Sequence, residues 1–356
     1  MRFCKMSLKC SRSRSHSQCS DDGAYLADSD YMNLPVSTSH WNTLCLEKLG
    51  IFYNNEYLNS PLDIIERINS ATECFGPMTT DQAQYISEFL QTLYFDISIN
   101  ESKKHEQEPT EQHLTQVILP KLEEQVLKIR EHFSKGIRVK TLPEEFLHVV
   151  THVLRYELGR YKSVKRMCPA TKDLYVSVFN LFARLCGVDT VPGSLWGTKM
   201  EVGYNDVNST ADLLIMPLDH PESFPKDYPD ADSVAVVSVV EIAKLLPKKG
   251  EVCSTSSIYD DVDSETLGRH GGELLLHLCN YDKNLIRKRR VLPGMIVIGT
   301  EVIFTVLEID AKHLSQVFST DNVDSKSKIF YSKPMDFLKK KDRDVLMEAI
   351  IRLNNI

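Results

Sequence analysis

The spacing of hydrophobic residues separates a helical first half of the chain from a second half that holds most of the predicted strands. Between residues 41 and 166, apolar side chains recur at three- and four-residue intervals, which is the period of one face of an α-helix. Ser60 before Pro61, and the stretches that begin at Thr79 and Thr141, supply the capping residues with which helices start. This pattern predicts an all-helical module over residues 41–166.

The pattern changes after Pro169, where apolar runs of strand length alternate with helical stretches. Gly187 ends the first long helix, and Gly299-Thr300 separates two β-rich runs as the turn of a hairpin. The predicted order is a helix over 171–185, strands over 199–204, 211–216 and 233–242, a helix over 264–278, a hairpin over 295–309 and a helix over 342–353. This order is typical of an α/β domain, which we expect over residues 167–356.

The N-terminal segment differs in composition from the rest of the chain. It is rich in serine, arginine and aspartate and poor in core-forming side chains. Such a segment buries too little apolar surface to offset the entropy of ordering the backbone. We therefore expect a disordered leader over residues 1–40.

The net charge, the length of the apolar runs and the cysteine pattern limit the functions and the cellular location that we expect for the protein. The 356-residue chain has a formal net charge of −7, which argues against coating nucleic acid by bulk electrostatics but is compatible with a locally basic cleft. Its longest apolar runs are strand-sized, so we expect no membrane segment. The nine cysteines form neither a CxxC pair nor a disulfide framework, which favours a cytoplasmic or nuclear location.

Charged residues lie at the ends of two predicted strands. Asp212 stands before the apolar run Leu213–Met216, and Glu241 follows the β-branched run that begins at Val234. Lys244 comes three positions after Glu241. Buried strands rarely carry charges unless these are paired or bind an ion, and two acids with a lysine are what metal-dependent hydrolysis of a phosphodiester needs. The pattern predicts a Mg²⁺ site at Asp212 and Glu241, with Lys244 steadying the attacking water or the developing charge.

These residues and the element order around them resemble the PD-(D/E)XK nuclease superfamily. The resemblance covers residues from about 167 to 309 and implies a restriction-endonuclease-like α/β core. It implies that Asp212 and Glu241 bind the metal, that Lys244 is the motif lysine, and that Asp173 is an additional acid from the first long helix. It also implies hydrolysis of phosphodiester bonds in a nucleic acid.

The spacing of the motif departs from that of the superfamily. Members place one residue between the acid and the lysine, whereas Ile242 and Ala243 separate Glu241 from Lys244. Because side chains alternate along a strand, Glu241 and Lys244 would point to opposite faces unless a β-bulge at Ile242 or Ala243 brings them together. If no bulge forms, the lysine is lost from the chemistry.

Further charged residues flank the motif. The helix that contains Arg269 and Glu273 corresponds to one that often supplies an extra polar group in the superfamily. Basic runs at 248–249 and 287–290 could contact phosphates or could serve solubility alone.

Two histidines stand out in the predicted helical module. His148 and His152 are four residues apart, the spacing of a two-histidine metal site on a helix. The HExxH context is missing, so the sequence favours an ordinary pair of amphipathic-helix histidines.

The residues leave three functions open. The first is a Mg²⁺-dependent nuclease. The second is a catalytically degenerate nuclease-fold module that binds nucleic acid or protein. The third is an adaptor whose helical module binds a protein partner while the β-rich half supports it.

Overall fold

A mixed β-sheet with helices on both faces organises the part of the chain that the computed structural model describes. The described residues are 33–72, 78–93, 95–97, 114–133, 141–158, 172–216, 237–243, 257–278, 289–319 and 323–353. Their strands are β1 (Ile51–Tyr53), β2 (Asp189–Pro192), β3 (Thr198–Val202), β4 (Asn205–Ser209), β5 (Leu213–Met216), β6 (Ser238–Ala243), β7 (Arg289–Ile298), β8 (Glu301–Asp310), β9 (Ser327–Tyr331) and β10 (Met335–Asp336). Their α-helices are α1 (Thr43–Lys48), α2 (Pro61–Thr72), α3 (Thr80–Thr92), α4 (Leu119–Phe133), α5 (Leu142–Leu158), α6 (Lys172–Leu185), α7 (Ile258–Asp261), α8 (Ser264–Leu278), α9 (Ala311–Phe318) and α10 (Lys340–Leu353).

The main sheet has the strand order β1-β9-β8-β7-β6-β5-β2, and β10 adds a short pairing to β8. The β1–β9 and β6–β7 pairs are parallel, and the other pairs are antiparallel. Strands β3 and β4 form a separate two-stranded hairpin. Helix α8 lies between β6 and β7 in the sequence and packs against both of them. The mixed α/β class that the sequence predicts is therefore confirmed.

The β7–β8 hairpin is the longest ladder of the sheet, and it confirms the predicted turn. Gly299 has φ 65°, a left-handed conformation that glycine adopts at little cost. The strand begins earlier than the sequence predicts, because Pro293 and Gly294 lie inside β7 rather than before it. Gly294 is needed there for packing, since a Cβ at this position would stand 2.8 Å from the His270 ring on α8.

The first half of the chain contains its predicted helices but also one strand. Ser60 and Thr79 act as caps, with the Ser60 hydroxyl accepting from Leu62 N at 3.1 Å and the Thr79 hydroxyl accepting from Gln82 N at 3.2 Å. The prediction that residues 41–166 are all-helical is wrong at β1, which pairs with the distant β9. Three residues are too few to show a strand period, and the distant partner that stabilises them is invisible to local pattern analysis.

Two hydrophobic clusters cover the two faces of the sheet. Along β6, Val240 and Ile242 belong to one cluster, whereas Val239 and Ala243 belong to the other, as the alternation of a strand requires. Each cluster contains residues from both sides of position 166: Ile64, Phe146, Val178 and Phe304 in the first, and Trp41, Leu49, Leu274 and Ile296 in the second. The predicted boundary itself lies within residues 159–171, outside the described residues.

The end of the predicted leader belongs to the folded structure. Leu34 and Thr38 are buried, and Thr38–His40 form a short 3₁₀ helix. The rest of the predicted leader, residues 1–32, lies outside the described residues. No helix in the described part of the chain is long and apolar enough to cross a membrane.

Close packing of α8 against α1 predicts a large effect of one added methyl group. A Cβ at Gly268 would stand 2.2 Å from the backbone of Asn42, which cannot move without shifting the start of α1. We expect Gly268→Ala to lower the free energy of unfolding by about 1–3 kcal/mol despite the better helix propensity of alanine. Chemical denaturation measures this, and Glu265→Ala on the exposed side of the same helix is the control. An unchanged stability of Gly268→Ala would show that the contact can relax.

Candidate functional site

The register of β5 and β6 brings the two predicted metal ligands together. Leu213 pairs with Val240, so one further step in the same antiparallel register sets Asp212 opposite Glu241. The carboxylate of Asp212 accepts a hydrogen bond from the backbone N–H of Ile242 at 2.7 Å (Oδ2 to N). Asp212 is therefore anchored to β6 beside Glu241.

A lysine from outside the strands bridges the two acids. The Nζ atom of Lys172, the first residue of α6, lies 2.7 Å from Asp212 Oδ1 and 3.5 Å from Glu241 Oε1. One ammonium group thus interacts with both carboxylates. The Lys172 side chain is about one-third exposed (32%), whereas that of Glu241 is buried (1%), so the lysine reaches the acids from the solvent side.

Helix α8 supplies two further charged groups. Arg269 Nη2 lies 2.5 Å from Glu241 Oε1 and is a second cation in contact with that carboxyl group. Glu273, one turn further along α8, is fully buried, and neither of its carboxyl oxygens has a hydrogen-bond partner among the described residues. We call Lys172, Asp212, Glu241, Arg269 and Glu273 the carboxylate cluster.

Burial and mutual repulsion keep protons on the inner acids. Burial, followed by the charge of Asp212, raises the pKa of Glu241 to about 8, against the opposing effect of Arg269 and Lys172. Burial also raises the pKa of Glu273 well above its ordinary value, and the charges of Glu241 and Asp212 add to the effect. The cluster therefore holds ionisable protons near neutral pH, which is a common property of functional sites.

The other two predicted site residues do not join this cluster in the described structure. Asp173 is exposed on the first turn of α6, and its neighbour Lys172 makes the contacts instead. Lys244 lies outside the described residues. The β6–β7 ladder pairs Glu241, Ile242 and Ala243 with consecutive residues of β7, so β6 is regular, without a bulge, as far as the described residues extend.

Sequence analysis missed Lys172 because nothing in the local pattern sets it apart. A lysine at the start of a helix is most often a solvated residue, and its partners lie 40 and 69 positions later in the chain. Glu273 was noted only through the resemblance. Glu273 directly precedes the apolar run Leu274–Leu276 of α8, and this position is the signal from which a buried acid could have been predicted.

The donor set of the cluster suits a hard divalent cation. No three His, Cys, Asp or Glu side chains of the described residues converge closely enough to form a complete protein cage for a metal. Mg²⁺ needs no such cage, because it is usually held by one or two carboxylates and completes its shell with water and phosphate oxygens. Asp212 and Glu241 fit that requirement.

Comparison of the chain with known protein families and with curated proteins found no match. The site must therefore be interpreted from its own chemistry.

The raised pKa of Glu241 predicts a pH-dependent stability difference. At pH values between 4.5, the ordinary pKa of a glutamate, and about 8, the raised pKa in the folded protein, Glu241 keeps a proton in the folded state that it has lost in the unfolded chain. The contribution of Glu241 to stability is thus fully present below about pH 4.5 and is lost as the pH rises through 8. Glutamine does not titrate, so we expect the Glu241→Gln variant to lack this loss of stability at higher pH. The free energy of unfolding of the variant should therefore rise relative to that of the wild type as the pH increases. Denaturation at pH values across this window measures the difference, with Glu265→Gln as the control. A difference that does not vary with pH would contradict the assignment.

Proposed function

We propose that this protein is a Mg²⁺-dependent enzyme that hydrolyses phosphodiester bonds of a nucleic acid, with Asp212 and Glu241 as metal ligands and Lys172 as the catalytic lysine. The observation that carries the proposal is the single ammonium group shared between the carboxyl group of Asp212, which directly precedes β5, and that of Glu241 on the neighbouring strand β6. Few structural reasons lead a protein to bury Glu241 beside another acid, because each buried charge costs several kcal/mol of desolvation. A site that binds a cation and a phosphate is one such reason.

The proposal includes a restriction-endonuclease-like core. The antiparallel β5–β6 pair presents both acids, and α8 connects β6 to the parallel strand β7. Helix α6 precedes these strands and supplies the lysine. This arrangement supports the resemblance seen in the sequence. In the proposal, Lys172 takes the role that the sequence suggested for Lys244.

Each residue of the proposed site would have its own role in hydrolysis. A bound Mg²⁺ would act as a Lewis acid toward a phosphoryl oxygen and lower the pKa of water. Asp212 and Glu241 would hold it, and the ammonium of Lys172 would stabilise the negative charge that builds on the phosphate. Attack of water forms one new P–O bond as the bond to one sugar oxygen breaks. A nucleic-acid substrate agrees with the cytoplasmic or nuclear location that the cysteine pattern predicts.

A degenerate, binding-only module is the second candidate, because the carboxyl groups of Asp212 and Glu241 already have partners. Lys172 and the Ile242 N–H engage both oxygens of Asp212, and Arg269 and Lys172 share Glu241. A cluster balanced in this way is stable without a metal. In that case the protein would bind nucleic acid or protein with no turnover.

Replacement of the bridging lysine tests the first candidate. We expect Lys172→Met to lower the rate of Mg²⁺-dependent cleavage of linear DNA or RNA by about 10²–10³-fold, the usual effect of removing one group that stabilises developing charge. Lys199→Met is a matched control, since Lys199 also lies 2.7 Å from an aspartate, Asp206, on an exposed hairpin. Equal activity of the two variants would exclude Lys172 from the chemistry.

Substitution of the two proposed metal ligands, Asp212 and Glu241, distinguishes an enzyme from a binding-only module. For an enzyme, we expect cleavage by the wild type with Mg²⁺ or Mn²⁺, its loss on chelation, and its loss in the Asp212→Asn, Glu241→Gln double variant. Calorimetry should show Mg²⁺ binding to the wild type and at least tenfold weaker binding to the double variant. A wild type that binds nucleic acid but neither cleaves it nor binds Mg²⁺ would establish the binding-only module. Cleavage that survives the double substitution would reject the proposed site.

A further inference from the structure

Helix α5, which lies outside the carboxylate cluster, presents two imidazole groups to solvent. His148 and His152 are both exposed, and their Nε2 atoms lie 3.4 Å apart. The rings are nearly perpendicular, at 89°, with centroids 4.8 Å apart. The spacing of four residues places both side chains on one face of the helix, one turn apart.

The distance between the two Nε2 atoms matches the distance between two nitrogen ligands of a tetrahedral zinc ion. Zinc binds imidazole nitrogen at about 2.0–2.1 Å, so two nitrogens at a tetrahedral angle stand about 3.4 Å from each other. Adjacent positions of a square-planar ion at similar bond lengths stand only about 2.9 Å apart. The two histidines need little rearrangement to chelate zinc and a larger one to chelate an ion of square-planar preference.

The apolar face of the helix that carries the two histidines packs against the hydrophobic core. Phe146, Val150 and Val153 of α5 are fully buried in the first hydrophobic cluster. At its start, the carboxylate of Glu144 accepts a hydrogen bond from the N–H of Thr141 at 2.7 Å (Oε2 to N). Because α5 is already folded and packed against the core, binding an ion does not require ordering of the helix backbone.

We propose that His148 and His152 form a surface chelate for a divalent zinc ion, with water completing the coordination shell. Among the described residues no third His, Cys, Asp or Glu converges with them, so this part of the chain supplies two nitrogen ligands to the proposed site. Mg²⁺ does not compete for it, because Mg²⁺ prefers oxygen ligands. The site is thus chemically distinct from the carboxylate cluster and independent of the function proposed for that cluster.

Zinc titration of the untagged, full-length protein against a chromophoric chelator tests this proposal. The comparison includes the wild type, His148→Ala, His152→Ala and, as the matched control, His40→Ala, which removes another exposed histidine. We expect each α5 substitution to weaken one zinc site by at least tenfold, because a single imidazole cannot chelate. His40→Ala should bind zinc as the wild type does.

Two outcomes would overturn the proposal. One is equal zinc binding by all four proteins, which would leave the pair as two histidines in edge-to-face contact. The other is retention of the site in His148→Gln and His152→Gln, which keep a polar side chain but lack an imidazole. Circular dichroism of each variant checks that α5 is still folded, and unchanged Mg²⁺-dependent behaviour of the α5 variants separates this site from the carboxylate cluster.

Discussion

Burial of negative charge between β5 and β7 is the constraint on which the rest of the site depends. Glu241 is on β6, which has a strand on each side, so water cannot reach its carboxylate through the sheet. Positive charge must therefore come from the helices. Lys172 at the start of α6 and Arg269 on α8 provide it, which ties the position of both helices to two acids in the sheet. Removing either cation would leave the two acids with less compensating charge, which is unfavourable in a low-dielectric interior.

The packing of α8 is what makes this arrangement geometrically attainable. Arg269 and Glu273 reach β6 only if the helix lies close to the sheet and to the N-terminal segment. Gly272 allows that approach on one side, since a Cβ there would meet the Trp41 ring at 2.7 Å, and Gly294 allows it from β7. The glycines that weaken the helical pattern in the sequence are therefore the residues that let α8 carry charged groups to the carboxylate cluster.

Sequence patterns predicted what is local and missed what depends on distant partners. The α6 and α8 helices, the β7–β8 hairpin and the acids Asp212 and Glu241 follow from periodicity, capping and the rarity of charges at buried strand ends. Strand β1 has three residues and is stabilised by β9, far along the chain. Lys172 is likewise defined only by its partners in space. The spacing of the motif in the sequence predicted Lys244 as the site lysine. That spacing carries no information about Lys172, whose ammonium group reaches the same two acids from helix α6.

The difference between the two cations suggests how such a cluster could accept a metal without unfolding. A lysine is a point charge on a flexible four-carbon stem, whereas an arginine guanidinium is a rigid planar fork. Lys172 is also nearer to solvent than Glu241, so its ammonium can withdraw from between the acids with little disturbance of the core. Arg269 can meanwhile keep its contact with Glu241 from α8. A divalent ion entering between Asp212 and Glu241 would then replace one charge with two, and would favour release of the proton that burial places on Glu241. The repulsion between the two neighbouring carboxyl groups, which raises the pKa of Glu241, would thus also favour the binding of a cation between them.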